Sequence, residues 1–315
     1  MVGWTLMIRS APFPDPPSTS EIEPRILVFG DVLDDIIVSP VKAPRGDADS
    51  RAVIQHRAGG WAANTAAWIG STGVHVELVG RVGVGDVQRH SQILATAGVH
   101  PRLGYARNAA TGTVVITLDG GSRTTMVDRG ASAELAVEEI TAEMIDGFDV
   151  VHFTGYSFDV AGDASAVRGL IARIHAAGAL ASFDPGAVGL VGEIGAEAFS
   201  QLVEGVDLFF VTLAEGRLLA GVDDPDAVVR KLRGRFGVVA LLLPDGGAVV
   251  GRRGAKTVHA APVATRSADP IGAGAAFVAG FVASWVRSPS LAIAARRGTK
   301  LAALALATVG GRPAT

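Results

Sequence analysis

The chain has 315 residues, 49% of them hydrophobic, with 28 basic and 31 acidic side chains and a formal charge of −3. That length and apolar content build one large α/β domain or two modest ones, and they exclude disorder over most of the chain. The near-balance of charge, with no run of one sign, gives no case for nucleic acid or an anionic membrane as partner, and the absence of cysteine excludes disulfides, thiolate metal sites and cysteine nucleophiles.

A neutral or small anionic substrate fits this balance, and the lack of cysteine is compatible with a reducing cytoplasm. Residues 1–24 begin with a short apolar patch at Met1–Ser10, without a signal-peptide core, and then carry Pro12, Pro14, Pro16 and Pro17, which predicts a flexible extension. Strands are predicted at Ile26–Phe29, Val76–Val79, Val150–Phe153, Leu180–Phe183, Leu208–Val211 and Val238–Leu243. Helices are predicted between them at Trp61–Ile69, Val87–Ala97, Ala164–Ala176, Glu197–Val203, Glu215–Ala220 and Ala227–Arg235, with a closing helix at Thr299–Thr308. Strands that are apolar almost throughout are buried on both faces, so the expected architecture is α/β: a doubly wound, mainly parallel sheet with helices on both sides. The longest apolar stretches, Gly272–Val286 and Leu301–Val309, fall short of the roughly 20 residues needed to cross a bilayer.

Two stretches break the alternation. Ile36–Arg57 and Pro101–Val127 hold no helix long enough for a crossover, and the second has β-type runs at Thr113–Leu118 and Thr124–Val127 around a hairpin signal, Asp119-Gly120-Gly121. Surface hairpins and a small antiparallel lid over the carboxyl ends of the strands both fit this pattern.

Three groups of residues carry chemistry. Gly30-Asp31-Val32-Leu33-Asp34-Asp35 follows the first strand, where carboxylates accept well from vicinal hydroxyls, although aspartates at such turns also cap local backbone. Gly59-Gly60 before an Ala-rich helix lets backbone approach a ligand, and Asn64 one turn in offers a donor and an acceptor. Asp269-Pro270-Ile271-Gly272-Ala273-Gly274-Ala275-Ala276-Phe277 is a glycine-rich turn that opens a buried helix, a place where free amides and the helix dipole hold an anion.

The order and spacing of these motifs resemble the two signatures of the ribokinase-like (PfkB) carbohydrate kinases: Gly-Gly-x-x-x-Asn-x-Ala at Gly59–Ala66, and Asp-Thr-x-Gly-Ala-Gly-Asp-x-Phe at 269–277. The resemblance spans Arg25 to Gly311 and implies a ribokinase-like domain over 25–315, with lid insertions near 36–57 and 101–127. It implies ATP-dependent phosphorylation of a sugar hydroxyl with Mg2+, a reaction that K+ often aids in that family. Asp35, Gly59, Gly60 and Asn64 then become substrate contacts, and Gly272, Ala273 and Gly274 become the anion hole. Thr212, Glu215, Leu243, Asp245 and Gly246 fall on the nucleotide side, Glu215 near magnesium through water, and Asp269 and Ile271 on a monovalent-cation loop.

The chain departs from the pattern in four places. Ala275 stands where the family carries its catalytic aspartate, Thr212 and Gly186 replace asparagines, and Leu243 replaces a glycine. Alanine cannot accept the hydroxyl proton, and loss of a general base costs about 10²–10⁴ in rate. The expectation is therefore a strongly impaired sugar kinase. A pseudokinase that senses a sugar or nucleotide is the alternative, and a nucleoside kinase stacking its substrate on Trp61 and Tyr105 is another. A homodimer through the lid is also expected.

Overall fold

The computed structural model describes residues 23–43, 46, 49–119, 122–157, 164–186, 188–266 and 271–313. The expected extension over 1–24 lies almost wholly outside the described residues. The chain begins with β1 (Arg25–Phe29), β2 (Leu33–Pro40), β3 (Ala52–Gly59), α1 (Trp61–Gly70), β4 (His75–Gly83), α2 (Val87–Thr96) and β5 (Val99–Ala106). β6 (Thr111–Asp119), β7 (Ser122–Gly130), α3 (Ala142–Ile145), β8 (Val150–Thr154), α4 (Ala164–Ala176), β9 (Leu180–Asp184), α5 (Val188–Ile194) and α6 (Ala196–Leu202) follow. The last part holds β10 (Leu208–Thr212), α7 (Leu213–Ala220), α8 (Pro225–Leu232), β11 (Val238–Leu242), β12 (Ala248–Arg252), β13 (Val258–Ala260), α9 (Ala273–Trp285) and α10 (Leu291–Leu306).

Among the described residues nine strands form one sheet, in the order β13-β12-β11-β10-β9-β8-β1-β4-β5. It is parallel from β5 to β11, and antiparallel only where β12 pairs with β11 and β13. The strands are apolar throughout because alternate side chains serve two cores. Ile26 and Val28 of β1, like Leu208 and Phe210 of β10, enter the core shared with α1, α9 and α10. Leu27, Phe29, Phe209 and Val211 enter the core under α4, α6 and α8 on the other face.

A separate four-stranded sheet, β3-β2-β6-β7, forms the lid. β2–β3 and β6–β7 pair antiparallel, and the central β2–β6 pair is parallel. Its inner face carries Leu33, Ile37, Val114 and Ile116, which pack on Ile271. The lid is thus seated directly over the residue that precedes the glycine-rich turn. Within the expected 101–127 stretch, β5 belongs instead to the main sheet, parallel to β4 from Val76↔Val99 to Gly83↔Ala106. As an edge strand it is only half-buried, so its sequence lacks the continuous apolar run of its neighbours. Among the described residues no helix is long and apolar enough to cross a membrane.

Candidate functional site

The site lies along the carboxyl ends of the parallel strands, where an open α/β sheet leaves its crevice. Gly30 and Asp31 follow β1, Tyr156 follows β8, Asp184 ends β9, and Thr212 ends β10. The three aspartates after β1 separate by task. Asp31 is buried, and its carboxylate accepts from Trp61 N at 2.7 Å and Ala62 N at 3.0 Å, so it caps α1. Burial raises its pKa, and those two amides only partly offset the effect. Asp34 holds the Arg89 guanidinium at 2.8 and 2.6 Å. Asp35 points inward, 4% exposed, against the backbone of Gly59, where a Cβ would collide with its carboxylate. Glycine at 59 is therefore a steric requirement of the Asp35 position.

Asn64 stands one turn into α1, its backbone N–H donating to the Gly60 carbonyl at 2.8 Å, and the Gly59-Gly60 turn that precedes it packs Gly59 against the Asp35 carboxylate. A fifth residue joins them that sequence reasoning missed. Arg312, just past α10, donates from Nε to Asn64 Oδ1 at 3.1 Å and from Nη2 to the Gly59 carbonyl at 2.8 Å. Among the described residues its Nη1 is buried without a hydrogen-bond partner. Burial brings its pKa down to about 10, while the Asp35, Asp34 and Asp31 carboxylates oppose that shift. The Gly310-Gly311 pair ahead of it was the available signal. Gly311 is threaded beside Asn64, and its carbonyl accepts from Trp68 Nε1 at 2.9 Å.

The glycine-rich turn has the form its sequence implies. Gly272 adopts a left-handed φ of 82° as the N-cap of α9, without a side-chain cap, and the first helical bond runs from Ala276 N to Gly272 O at 2.9 Å. The amides of Ala273, Gly274 and Ala275 consequently precede the ladder of a thirteen-residue helix. The Ala275 methyl is 1% exposed, whereas residues 272–274 are partly open. Ile271 gives its side chain to the lid core, and Asp269 lies outside the described residues.

Trp61 links the turn to the strand ends. Its indole lies against Gly274, its Nε1 donates to Asp184 Oδ2 at 3.2 Å, and its ring is 6.4 Å from that of Tyr156. Tyr105, the expected aromatic partner, is 47% exposed on β5 and engages Arg107 instead. Tyr156 takes its place, and its position after an apolar strand was the signal for it. Burial, together with Asp31, Asp184 and Glu215, raises its phenol to about 12.

Asp184 and Glu215 form a buried acidic pair. Burial first, and then the Glu215 charge, raises Asp184 from 3.8 to about 8, despite hydrogen bonds from Gly186 N and Trp61. Burial raises Glu215 as well, against bonds from Thr212 N at 2.7 Å and Thr212 Oγ1 at 2.8 Å. Thr212 and Glu215 make a reciprocal capping box at the start of α7, so both have a structural duty beside any ligand role.

Next along the sheet, a cavity of about 320 Å³ lies between the β11–β12 turn, the 262–265 loop and α10. Asp245 and Gly246 line it, with Thr299, Ala302, Ala303 and Leu306 of α10, and these small apolar walls suit a flat ring. Asp245 also closes its own turn, accepting from Gly247 N at 2.8 Å. Leu243 packs against the core under the opposite helices, and neither it nor Thr212 or Glu215 lines this cavity.

The sequence matches the model of the pfkB family carbohydrate kinases over residues 23–315. An uncharacterized sugar kinase of Archaeoglobus fulgidus is 26% identical over 248 residues, covering 78% of this chain and 93% of the relative. An ATP-dependent ribose-1-phosphate kinase of Halopiger xanaduensis is 29% identical over 300 residues, covering 92% and 94%. Among solved structures, the adenosine kinase of Sinorhizobium meliloti superposes with a TM-score of 0.81 at 24% identity, over 93% of this chain and 97% of that one. A putative ribokinase II from E. coli in complex with ATP and Mg2+ gives 0.79 at 20% identity, over 92% and 94%.

Proposed function

The chain belongs to the pfkB family of carbohydrate kinases, and from that premise we propose that it binds ATP with Mg2+ and a sugar-class hydroxyl acceptor, with phosphoryl transfer strongly impaired by Ala275. The observation that carries this reading is the turn at the head of α9. It offers the open amides that a transferring phosphoryl group requires, yet the next side chain in the helix is a buried methyl.

The residues present fit the nucleotide and its metal. The 320 Å³ cavity beside α10 has the size and small apolar walls for a base, and Gly272, Ala273 and Gly274 can receive phosphate oxygens. Asp184 and Glu215, two buried carboxylates that repel each other, are the donors a divalent cation would relieve. Bound magnesium would neutralise charge on the phosphates; the protein's part is to position the acceptor and accept its proton. Asp35 and Asn64 can orient an acceptor hydroxyl, while Ala275 has no lone pair with which to take the proton. Arg312 hydrogen-bonds Asn64 and feels the charge of Asp35, and so competes with, or selects, what they bind.

ADP release with ATP and Mg2+ across neutral sugars, sugar phosphates and nucleosides tests this reading. Slow release that depends on one acceptor class is expected. Turnover near the ordinary enzyme median of about 10 s⁻¹ would overturn the impairment. We further infer a homodimer through the lid, because its outer strands expose Val53 (54%), Ile54 (56%), Met126 (56%) and Val127 (47%). Light scattering that finds a clean monomer at micromolar concentration would remove that inference.

A further inference from the structure

A second cavity lies on the far side of α10. It has a volume of about 530 Å³, larger than the nucleotide cavity at about 320 Å³. Its walls come from the end of α9, from α10 and from the turn after α1. The two cavities share α10 as a common wall. Arg297, Lys300, Leu301 and Leu304 face the second cavity, at helical offsets of 0, 3, 4 and 7. Thr299, Ala302, Ala303 and Leu306 face the nucleotide cavity at the same offsets, begun two residues later. Two residues turn a helix by about 200°, so the two sets occupy opposite faces.

The second cavity has a definite chemistry. Among the described residues, Arg287, Arg297 and Lys300 line it, and no carboxylate does. Among the described residues, neither Arg297 nor Lys300 has an ion-pair partner, although the chain as a whole is acidic. Arg287 is held in place by donating from Nη2 to the Thr72 carbonyl at 3.2 Å. Ser71, Ser284 and Ser288 add hydroxyls at the rim, and Ile293, Leu301 and Leu304 supply an apolar side. Three cations beside an apolar wall match a ligand that joins several negative charges to a ring. They do not match a neutral sugar, which would leave the cations unsatisfied, nor a bare phosphate, which would leave the apolar wall wet.

We propose that this cleft is an effector site for a nucleotide-sized organic polyphosphate, distinct from the nucleotide cavity on the other face of α10. α9 runs from the anion-binding turn to this cleft, and α10 separates the two cavities, so occupancy of the cleft acts on elements that also build the catalytic side. The proposal rests on the reading above only in identifying the other cavity as the nucleotide site.

The test is calorimetry of the full-length protein with AMP-PNP and Mg2+. The native protein is expected to show two classes of site. R297A/K300A, both positions exposed on α10, should weaken one class by about tenfold or more and leave the other intact. Ala303→Phe, which fills the nucleotide cavity, should remove the class that R297A/K300A spares. The cleft class should also weaken more steeply with added NaCl. One class, abolished by Ala303→Phe and untouched by R297A/K300A, overturns the effector site and leaves the kinase reading standing. One class abolished only by R297A/K300A does the reverse: the cleft holds and the nucleotide cavity is misassigned.

Discussion

The two halves of the candidate site differ in what they have kept. On the acceptor side the signature residues Asp35, Gly59, Gly60 and Asn64 are all present, but Arg312 already lies on Asn64 and on the Gly59 carbonyl. The side we propose for the nucleotide carries Thr212 and Leu243 where the resemblance implies an asparagine and a glycine, and yet it holds a cavity of about 320 Å³ with Asp245 and Gly246 in its wall. Retained side chains and retained space are separate properties. A motif records the first, and only tertiary structure shows the second.

A carboxylate at position 275, where we propose that a general base is lacking, separates the two halves most sharply. Ala275→Asp should raise acceptor-dependent ADP release by about 10²–10⁴, the range a general base supplies. The carboxylate would enter a position that is 1% exposed, so some loss of stability should accompany the gain. If the variant stays folded and its rate does not move, the deficiency lies in the acceptor side as a whole, with Arg312 the first suspect.

The acidic pair gives the next largest effect. The folded value of Asp184 is raised from 3.8 to about 8, so between those values the folded state keeps a proton that the unfolded chain has released. Stability should therefore be full at the acid end and be lost progressively as pH rises toward 8. Denaturant melts from pH 5 to 8 read this slope directly. Asp184→Asn should flatten it, and Mg2+ should raise the midpoint of the native protein more at pH 8 than at pH 6. Equal effects of Mg2+ at both pH values would remove this pair as the metal's donors.

Replacing Arg312 tests whether the acceptor side is occupied or merely lined. Arg312→Ala frees Asn64 Oδ1 and relieves the Asp35 carboxylate of its cation, so neutral sugars should bind about tenfold more tightly by calorimetry. A loss of binding confined to anionic sugars would show instead that the guanidinium is a substrate ligand. The folded state should lose about 1–2 kcal/mol with the two hydrogen bonds.

Much of the fold was legible because it rests on short-range pattern. β1, β8, β9, β10 and β11 fall within a residue of their predicted bounds, since each feeds two buried faces and is apolar throughout. β5 was hidden by its half-exposed edge and by Pro101, and α10 begins at Leu291, eight residues before the predicted Thr299, because its first turns are mixed in polarity. In the site, Asp35, Gly59, Gly60 and Asn64 could be read because they lie close in sequence around one strand-to-helix turn. Arg312 could not: it is 248 residues from Asn64, and only the threading of Gly311 past α1 brings the two together. The part of Asp31 was ambiguous for the opposite reason, since a cap and a ligand carboxylate look alike in sequence until the amides of Trp61 and Ala62 are placed.

Trp61 joins the two sides. Its indole spans from Gly274 in the anion turn to Asp184 at the end of β9, and its Nε1 hydrogen bond favours the charged form of that carboxylate. Trp61→Phe keeps most of the apolar wall but withdraws the donor, at a cost of about 1 kcal/mol. Asp184 should then hold its proton to still higher pH, so the loss of stability on alkalinisation should continue to higher pH than in the native protein. If the slope keeps its position while stability falls, the indole acts on the pair by packing alone, and the anion turn and acidic pair are neighbours without an electrostatic link through Trp61.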